Sequence, residues 1–404
     1  MKIAIIGAGA SGMAAALSAA ENENNQVILL ERQARVGRKL QATGNGRCNL
    51  SNIHATTQGY HGQNPCFVSS AISAFTPDDT LTWFAALGLF TVTEENGKVY
   101  PYSDQANSVV DVLRLALEKE NITLKIGYEV SKVQKTENGF LVTNGEEPIT
   151  CDKLIVACGG LAGSKLGGTM AGYKLLAKFG HRSTKLRPSL VQIKSSWPEL
   201  PSLKGIRANC HVQILHNGEI YAQSTGELQL TEHGISGPVV FEISRDVCAE
   251  RGKWTAKLDF LPHISAEILG AELQRRRQTN LAMEELLTGI IHNRLGRVLT
   301  KNAGVKGKQF VNQISNAELR DVVVNVKGLE IDLTEPLGMD SAQVTAGGVI
   351  TDGFDPNTME SKLVSGLYAC GEVLDIDGDC GGYNLQWAWS SGRMAGLSAG
   401  KENK

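Results

Sequence analysis

"KIAIIGAGASGMAAALSAAENENNQVILLER", residues 2–32, is the stretch on which the fold turns. Lys2 to Ile6 are almost continuously apolar and stop at Gly7, as a strand buried on both faces does. Gly7, Gly9 and Gly12 supply GxGxxG: the first permits a tight turn, the second lets backbone approach a pyrophosphate, the third lets helix and strand pack closely. Ser11 lies inside the same turn. A helix starting near Gly9 points its positive end and free amides at the phosphates. Val27 to Leu30 then form a second strand closed by Glu31, 19 residues beyond Gly12, where an acid accepts hydrogen bonds from an adenosine ribose. These features specify a Rossmann-like dinucleotide site. An acid here, with no basic pocket, favours FAD or NAD over NADP.

The segment that follows chooses between those two. "RQARVGRKLQATGNGRCNLSN", residues 32–52, replaces the helix that normally follows the second strand of an NAD dehydrogenase. FAD is the longer molecule and needs holding along its length, and a loop this rich in donors meets that need. Arg38, Lys39 and Arg47 can balance phosphate charge, while Thr43, Gly44, Gly46 and Cys48 lie where backbone approaches the cofactor.

Near the C-terminal end, "GLYACGEVLDIDGDCGGYNLQWAWSSGRMAG", residues 366–396, reads as a strand over 366–370, a glycine loop and a helix from about Asn384. Gly371 and Glu372 fit the ribitol or pyrophosphate. Gly382, Asn384 and Leu385 would set amides beside the pyrimidine edge of a flavin, where negative charge builds on reduction. At least one of Trp387 and Trp389 is expected in the core. A strand over 154–157 leads to Gly159 and Gly160, which return to the adenine side, and then to a helix from about Thr169. Residues 123–133 and 139–143 read as strands, with Val130 offering its backbone to adenine. No second GxGxxG is followed by an acid, so a separate NAD(P)H domain is not expected.

The middle changes character. Residues 188–262 are short alternating runs, and Asn217-Gly218 between two of them is a hairpin signal. Residues 263–320 carry helical spacing, and 321–345 return to strands, "DVVVNVKGLEIDL" among them. The expected fold class is α/β: a discontinuous Rossmann-like FAD-binding domain, 1–187 and 346–404, with an inserted antiparallel β-barrel or sandwich, 188–262 and 321–345, and a helical insertion, 263–320.

Composition narrows the function classes. At 404 residues, 42% hydrophobic and 20% charged, the chain has material for two or three globular domains, and a net charge of −2 gives no overall pull toward nucleic acid or membrane. The eight cysteines, at 48, 66, 151, 158, 210, 248, 370 and 380, form no CxxC and no zinc pattern. They read as free thiols in a reducing compartment, so no metal and a cytoplasmic location are expected. The first twenty residues superficially suit a signal peptide, but three glycines interrupt the apolar run and a second strand follows. No run of 18 or more apolar residues suggests a membrane span.

"GRKLQATGNGRCNLSN" (37–52), "GISGP" (234–238), "VTAGGV" (344–349) and "GGYNLQWAWSSG" (381–392) together resemble a family of bacterial FAD proteins. That family includes aminoacetone oxidase-like enzymes, bile-acid alkene reductase-like enzymes and ribosomal RNA dihydrouridine synthases, and its motifs recur in order from residue 3 to residue 394. The resemblance implies non-covalent FAD, with Gly347 of "VTAGGV" among the cofactor residues. It also implies His233 near the substrate, beside candidate catalytic groups Cys48 and Asn384. Cys48 and Cys380 read either as proton donors or as small buried residues.

Two reactions remain: NAD(P)H-driven reduction of an activated C=C bond, or oxygen-dependent oxidation of an aminoketone-like amine. The C=C could belong to uracil in ribosomal RNA or to a small enone such as an oxo-bile acid. Residues 263–312 hold eight Lys or Arg, at 275, 276, 277, 294, 297, 301, 306 and 308, against four acids, at 267, 272, 284 and 285. Arg275, Arg276 and Arg277 are read either as a solvated helix face or as a phosphate-contacting surface for RNA.

Overall fold

The computed structural model describes residues 1–247, 250–305 and 308–401, so Cys248 and Lys306 lie outside the described residues. Contacts divide the chain into two units, Met1–Pro188 with Gln343–Lys404, and Ser189–Ala342.

The first unit is built on a five-stranded parallel sheet in the order Leu367–Ala369, Lys153–Val156, Lys2–Ile6, Gln26–Glu31, Ile122–Ile126. Ile3, Ile5, Leu29, Leu154 and Ile155 are buried, as the near-continuous apolar runs require of a sheet covered on both faces. The Ala10–Ala19 helix follows the glycine turn and packs against the Tyr383–Gly400 helix. That contact is made by absent side chains: a Cβ on Gly392 would sit 2.4 Å from Ser11 O, and one on Gly396 2.3 Å from Ala15 O. The stretch expected as one strand over 123–133 is broken at Gly127 (φ 71°), and a separate antiparallel sheet of Lys132–Thr136, Gly139–Thr143 and Pro148–Cys151 follows.

The second unit is a closed antiparallel barrel of six strands: Ile193–Ser195, Gly234–Ser236, Glu219–Leu230, Arg207–His216, Trp254–Asp259 and Leu329–Pro336. Asn217 (φ 53°) and Gly218 (φ 90°) turn the long hairpin with the left-handed pair that a tight turn needs. Three helices, Ala266–Arg277, Asn293–Asn302 and Asn316–Gly328, share one apolar core with the barrel.

Two readings are corrected in this unit. "DVVVNVKG" is helix, not strand: a Ser315/Glu318 capping box starts it, and Leu319, Val322 and Val326 line one buried face at helical spacing. Residues 278–292, expected as helical, hold only a short 3-10 turn at Met283–Glu285.

Among the described residues no helix is long and apolar enough to cross a membrane, and no three His, Cys, Asp or Glu gather as metal ligands.

Candidate cofactor site

The glycines of the first turn separate by what each would meet. A Cβ on Gly7 would lie 2.5 Å from Ala157 O, and one on Gly12 only 1.8 Å from Gly7 O, so both are dictated by the protein's own packing. Gly9, at the helix N-cap, would meet nothing within 4 Å. Its openness is what a backbone apposed to a ligand requires. The helix's first hydrogen bond runs from Met13 N to Gly9 O (3.0 Å), leaving the amides before it as open donors. Ser11 is buried beneath Gly371, whose added Cβ would fall 2.5 Å from Ser11 Oγ.

Glu31 closes the second strand with its carboxylate braced: Oε2 accepts from Ala8 N (2.8 Å) and Oε1 from Gln33 N (2.8 Å). Tyr128 N donates to Glu31 O (2.9 Å), which brings the turn carrying half-buried Val130 alongside. Gly159 (φ 70°) also faces open space, whereas Gly160 is pressed against Glu372, at 2.6 Å from an added Cβ. This arrangement suits the adenosine half of a dinucleotide. Glu31→Gln keeps the shape but halves the acceptor set, so FAD affinity should fall by about 1.5–3 kcal/mol, one to two decades. Equilibrium fluorescence titration of the apo-protein reads this out. Glu31→Ala removes both backbone braces as well and should also lower the melting temperature.

The donor-rich loop is held from the opposite end of the chain. Trp389 Nε1 donates to Leu50 O (2.8 Å) and Trp387 Nε1 to Gly371 O (3.2 Å). Both indoles are buried, as the core expectation held. Gln386 is fully buried, accepts from Ser51 Oγ (2.6 Å), and donates to Thr80 Oγ1 (2.9 Å) and Phe75 O (3.2 Å). A single helix thus fixes both cofactor loops. Gln386 N bonds Gly382 O (3.0 Å), so the amides of Tyr383, Asn384 and Leu385 precede the helix's first hydrogen bond. All three residues remain partly exposed.

Several candidate side chains are engaged elsewhere. Lys39 Nζ bonds both Glu372 oxygens (3.0 and 2.8 Å), and Glu372 also accepts from Thr345 N (2.9 Å). Arg47 bonds Asp104 and Glu94 and lies 4.0 Å over the Tyr100 ring. Arg38 is exposed and bonds Gln33 (2.6 Å). Thr43 Oγ1 caps Leu40 O (2.7 Å), while Gly46 (φ 88°) faces open space and Gly44 closes on Asn49 N. Gly347 is buried against Lys185 O, 2.5 Å from an added Cβ, so packing alone already requires a glycine there.

Two of the candidate catalytic side chains are enclosed or engaged within the protein. Cys48 is wholly buried, and burial pushes its thiol up to about 12, which favours its reading as a small buried residue over a proton donor. The Asn384 side chain accepts from Gly378 N (2.9 Å) and donates to Gly378 O (2.7 Å), so it shapes the loop before the helix, leaving its amide to face outward. His233 sits exposed in the turn between two barrel strands, its carbonyl accepting from Ser195 N (3.0 Å). Sequence reasoning missed His61 and Asp379, whose ring nitrogen and carboxylate meet at 2.7 Å beside Gly378. They lie 318 residues apart, and no motif links them.

Comparison with known proteins places the chain in a family. The chain is 37% identical over 98% of its length to a 3-dehydro-bile acid delta(4,6)-reductase of Clostridium scindens, covering 98% of that protein. It is 34% identical over 96% of its length to a ribosomal RNA dihydrouridine synthase of Escherichia coli, covering 95% of that chain. In fold it is similar to a 3-ketosteroid delta1-dehydrogenase of Sterolibacterium denitrificans, with a TM-score of 0.50 at 11% identity over 98% of this chain and 99% of the other. The model of the HI0933-like protein Rossmann domain matches residues 1–398, and the chain belongs to that family.

Proposed function

We propose that this FAD-dependent oxidoreductase reduces a C=C bond conjugated to a carbonyl, with NAD(P)H as transient reductant. The observation that carries the cofactor is the set of openings in one unit: Gly9, Gly46 and Gly159 without a neighbour, and open amides at the starts of two helices. When bound, FAD supplies the two-electron chemistry. The chain's own residues do the rest. Glu31 would hold ribose hydroxyls, the amides ahead of Met13 would face the pyrophosphate, and the Tyr383–Leu385 amides would oppose the negative charge that accompanies reduction. The C=C reading is supported by two full-length relatives named for a delta(4,6)-reductase and for dihydrouridine synthesis, both of which saturate a carbonyl-conjugated double bond. A uracil ring and a small enone present the same reacting unit.

The purified protein should be yellow, and acid denaturation should release the colour, since the Cys48 thiol is too enclosed to form a covalent link. A colourless protein, or one that holds only FMN, refutes the cofactor. Anaerobic stopped-flow then tests the reaction. Rapid bleaching by NAD(P)H supports the reductase; bleaching by an aminoketone alone means an oxidase. Mass spectrometry of ribosomal RNA from a deletion strain assigns the substrate: a missing dihydrouridine means uracil, and an unchanged RNA leaves the small enone.

A further inference from the structure

We propose that His61, oriented by Asp379, is the acid that delivers the proton in this reduction. The inference rests on the C=C reading above. His61 and Asp379 flank a two-residue antiparallel ladder, Tyr60–His61 with Asp377–Gly378, in the loop that leads into the Tyr383–Gly400 helix. Four contacts hold the ladder together and to the helix start, three of them through Tyr383 or Asn384. Asn384 brackets Gly378 through N and O, Tyr60 OH donates to Tyr383 O (3.0 Å), Asp379 N donates to Gly59 O (2.9 Å), and the Tyr60 and Tyr383 rings meet edge to face at 5.7 Å. The dyad therefore has one position relative to the amides that would face the flavin.

The other titratable groups around it suit the task less. Burial raises Tyr60 and Tyr383, which makes both weaker acids, and their hydroxyls already donate to Tyr383 O and His54 O. Asp377 pairs across the ladder from His61 and is fully buried, and Asp375 accepts from Gln63 N (3.1 Å). An imidazole changes charge between about pH 5 and 8, and a bonded carboxylate fixes which nitrogen carries the proton. The His61 side chain is 38% exposed, so solvent can return its proton.

The step balances. The C=C π bond would break as a proton from the His61 imidazolium forms one C–H bond and a hydride, supplied by FAD when bound and reduced, forms the other. NAD(P)H would return the two electrons, and water the proton to the imidazole.

Histidine-labelled apo-protein provides a readout independent of turnover. The imidazole resonance that disappears in His61→Gln should move when FAD is added to the parent, and FAD affinity should be the same in both. Single-turnover reoxidation of the reduced holoprotein by 2-cyclohexen-1-one and by ribosomal RNA tests the chemistry. His61→Gln should slow the productive acceptor by about a hundredfold or more. Asp379→Asn, which alters the 2.7 Å contact, should slow it less and move the alkaline limb of the pH profile, where a protonated acid is lost, to lower pH. An unmoved resonance, or His61→Gln reacting at the parent rate, overturns the assignment. If neither acceptor reoxidises the parent, the C=C reading itself falls and the dyad's role with it, although the resonance shift still reports where the dyad lies.

Discussion

Gly9→Val is expected to give a folded protein that holds no flavin, and Gly12→Val a chain that does not fold. The two glycines lie three residues apart in one turn, yet their surroundings are opposite. A side chain at Gly9 enters space that no protein atom occupies, so the apo-protein should melt at the parent temperature. That same side chain fills the ground a pyrophosphate needs, and FAD affinity should fall by more than about a hundredfold, some 3 kcal/mol. At Gly12 the first added atom is driven to 1.8 Å from Gly7 O, and neither backbone can yield without breaking the strand–helix corner. Overpacking of side chains alone costs about 1–3 kcal/mol, and a backbone clash exceeds that against a total stability of about 5–15 kcal/mol. Circular dichroism with flavin absorbance decides both. A Gly9→Val protein that purifies yellow would displace the phosphate site from this turn.

Arg276→Ala should destabilise the barrel unit, whereas Arg275→Ala and Arg277→Ala should not. Arg276 is 15% exposed; it bonds Glu272 (2.7 Å) and donates to Leu286 O (3.0 Å) and Thr288 O (2.8 Å), pinning the irregular segment that follows its helix. Removing it strands two carbonyls, at about 1–3 kcal/mol each. Arg275 is 69% exposed and shares Glu272, which the Arg275 and Arg276 guanidiniums hold down at about 2. Arg277 bonds Asn316 (2.6 Å). The basic run is thus largely matched within its own unit, and Arg297, facing Glu284 and Glu285, repeats the pattern. The informative test of an RNA surface is the Arg275→Ala/Arg277→Ala double variant, which keeps the structural arginine. If those two residues contact phosphates, the slope of RNA affinity against salt should flatten by about two contacts. An unchanged slope in a stable double variant removes this face as an RNA contact.

What the sequence made legible was local. The glycine turn, the strand ending in Glu31 and the Asn217-Gly218 hairpin each follow from residues within one short window, and each is where expected. The failures have two physical sources. In "DVVVNVKG" the β-branched run suggested a strand, but a capping box four residues upstream of Leu319 and burial of one helical face outweighed that propensity. For the charged candidates the missing information was the partner: Lys39 meets Glu372 across 333 residues and Arg47 meets Asp104 across 57. Charge counted along a chain does not reveal which charges are already neutralised. Cys48 shows the same limit for burial: its polar, glycine-rich neighbourhood left open both a proton donor and a small buried residue, and its thiol has no exposed surface.

The clasp between the Ala10–Ala19 and Tyr383–Gly400 helices, closed through Gly392 and Gly396, sets a timetable for synthesis. The glycine turn emerges from the ribosome well before the helix that bolts down the donor-rich loop, whose Trp389 is made 339 residues after Leu50. Until residues 383–400 have emerged, Leu50 O and Gly371 O lack the indole donors that fix them. Such distant pairing slows folding, because the ends must find each other before any contact rewards the search. Flavin capture should therefore wait for that helix, and a nascent chain stalled before it should accumulate colourless.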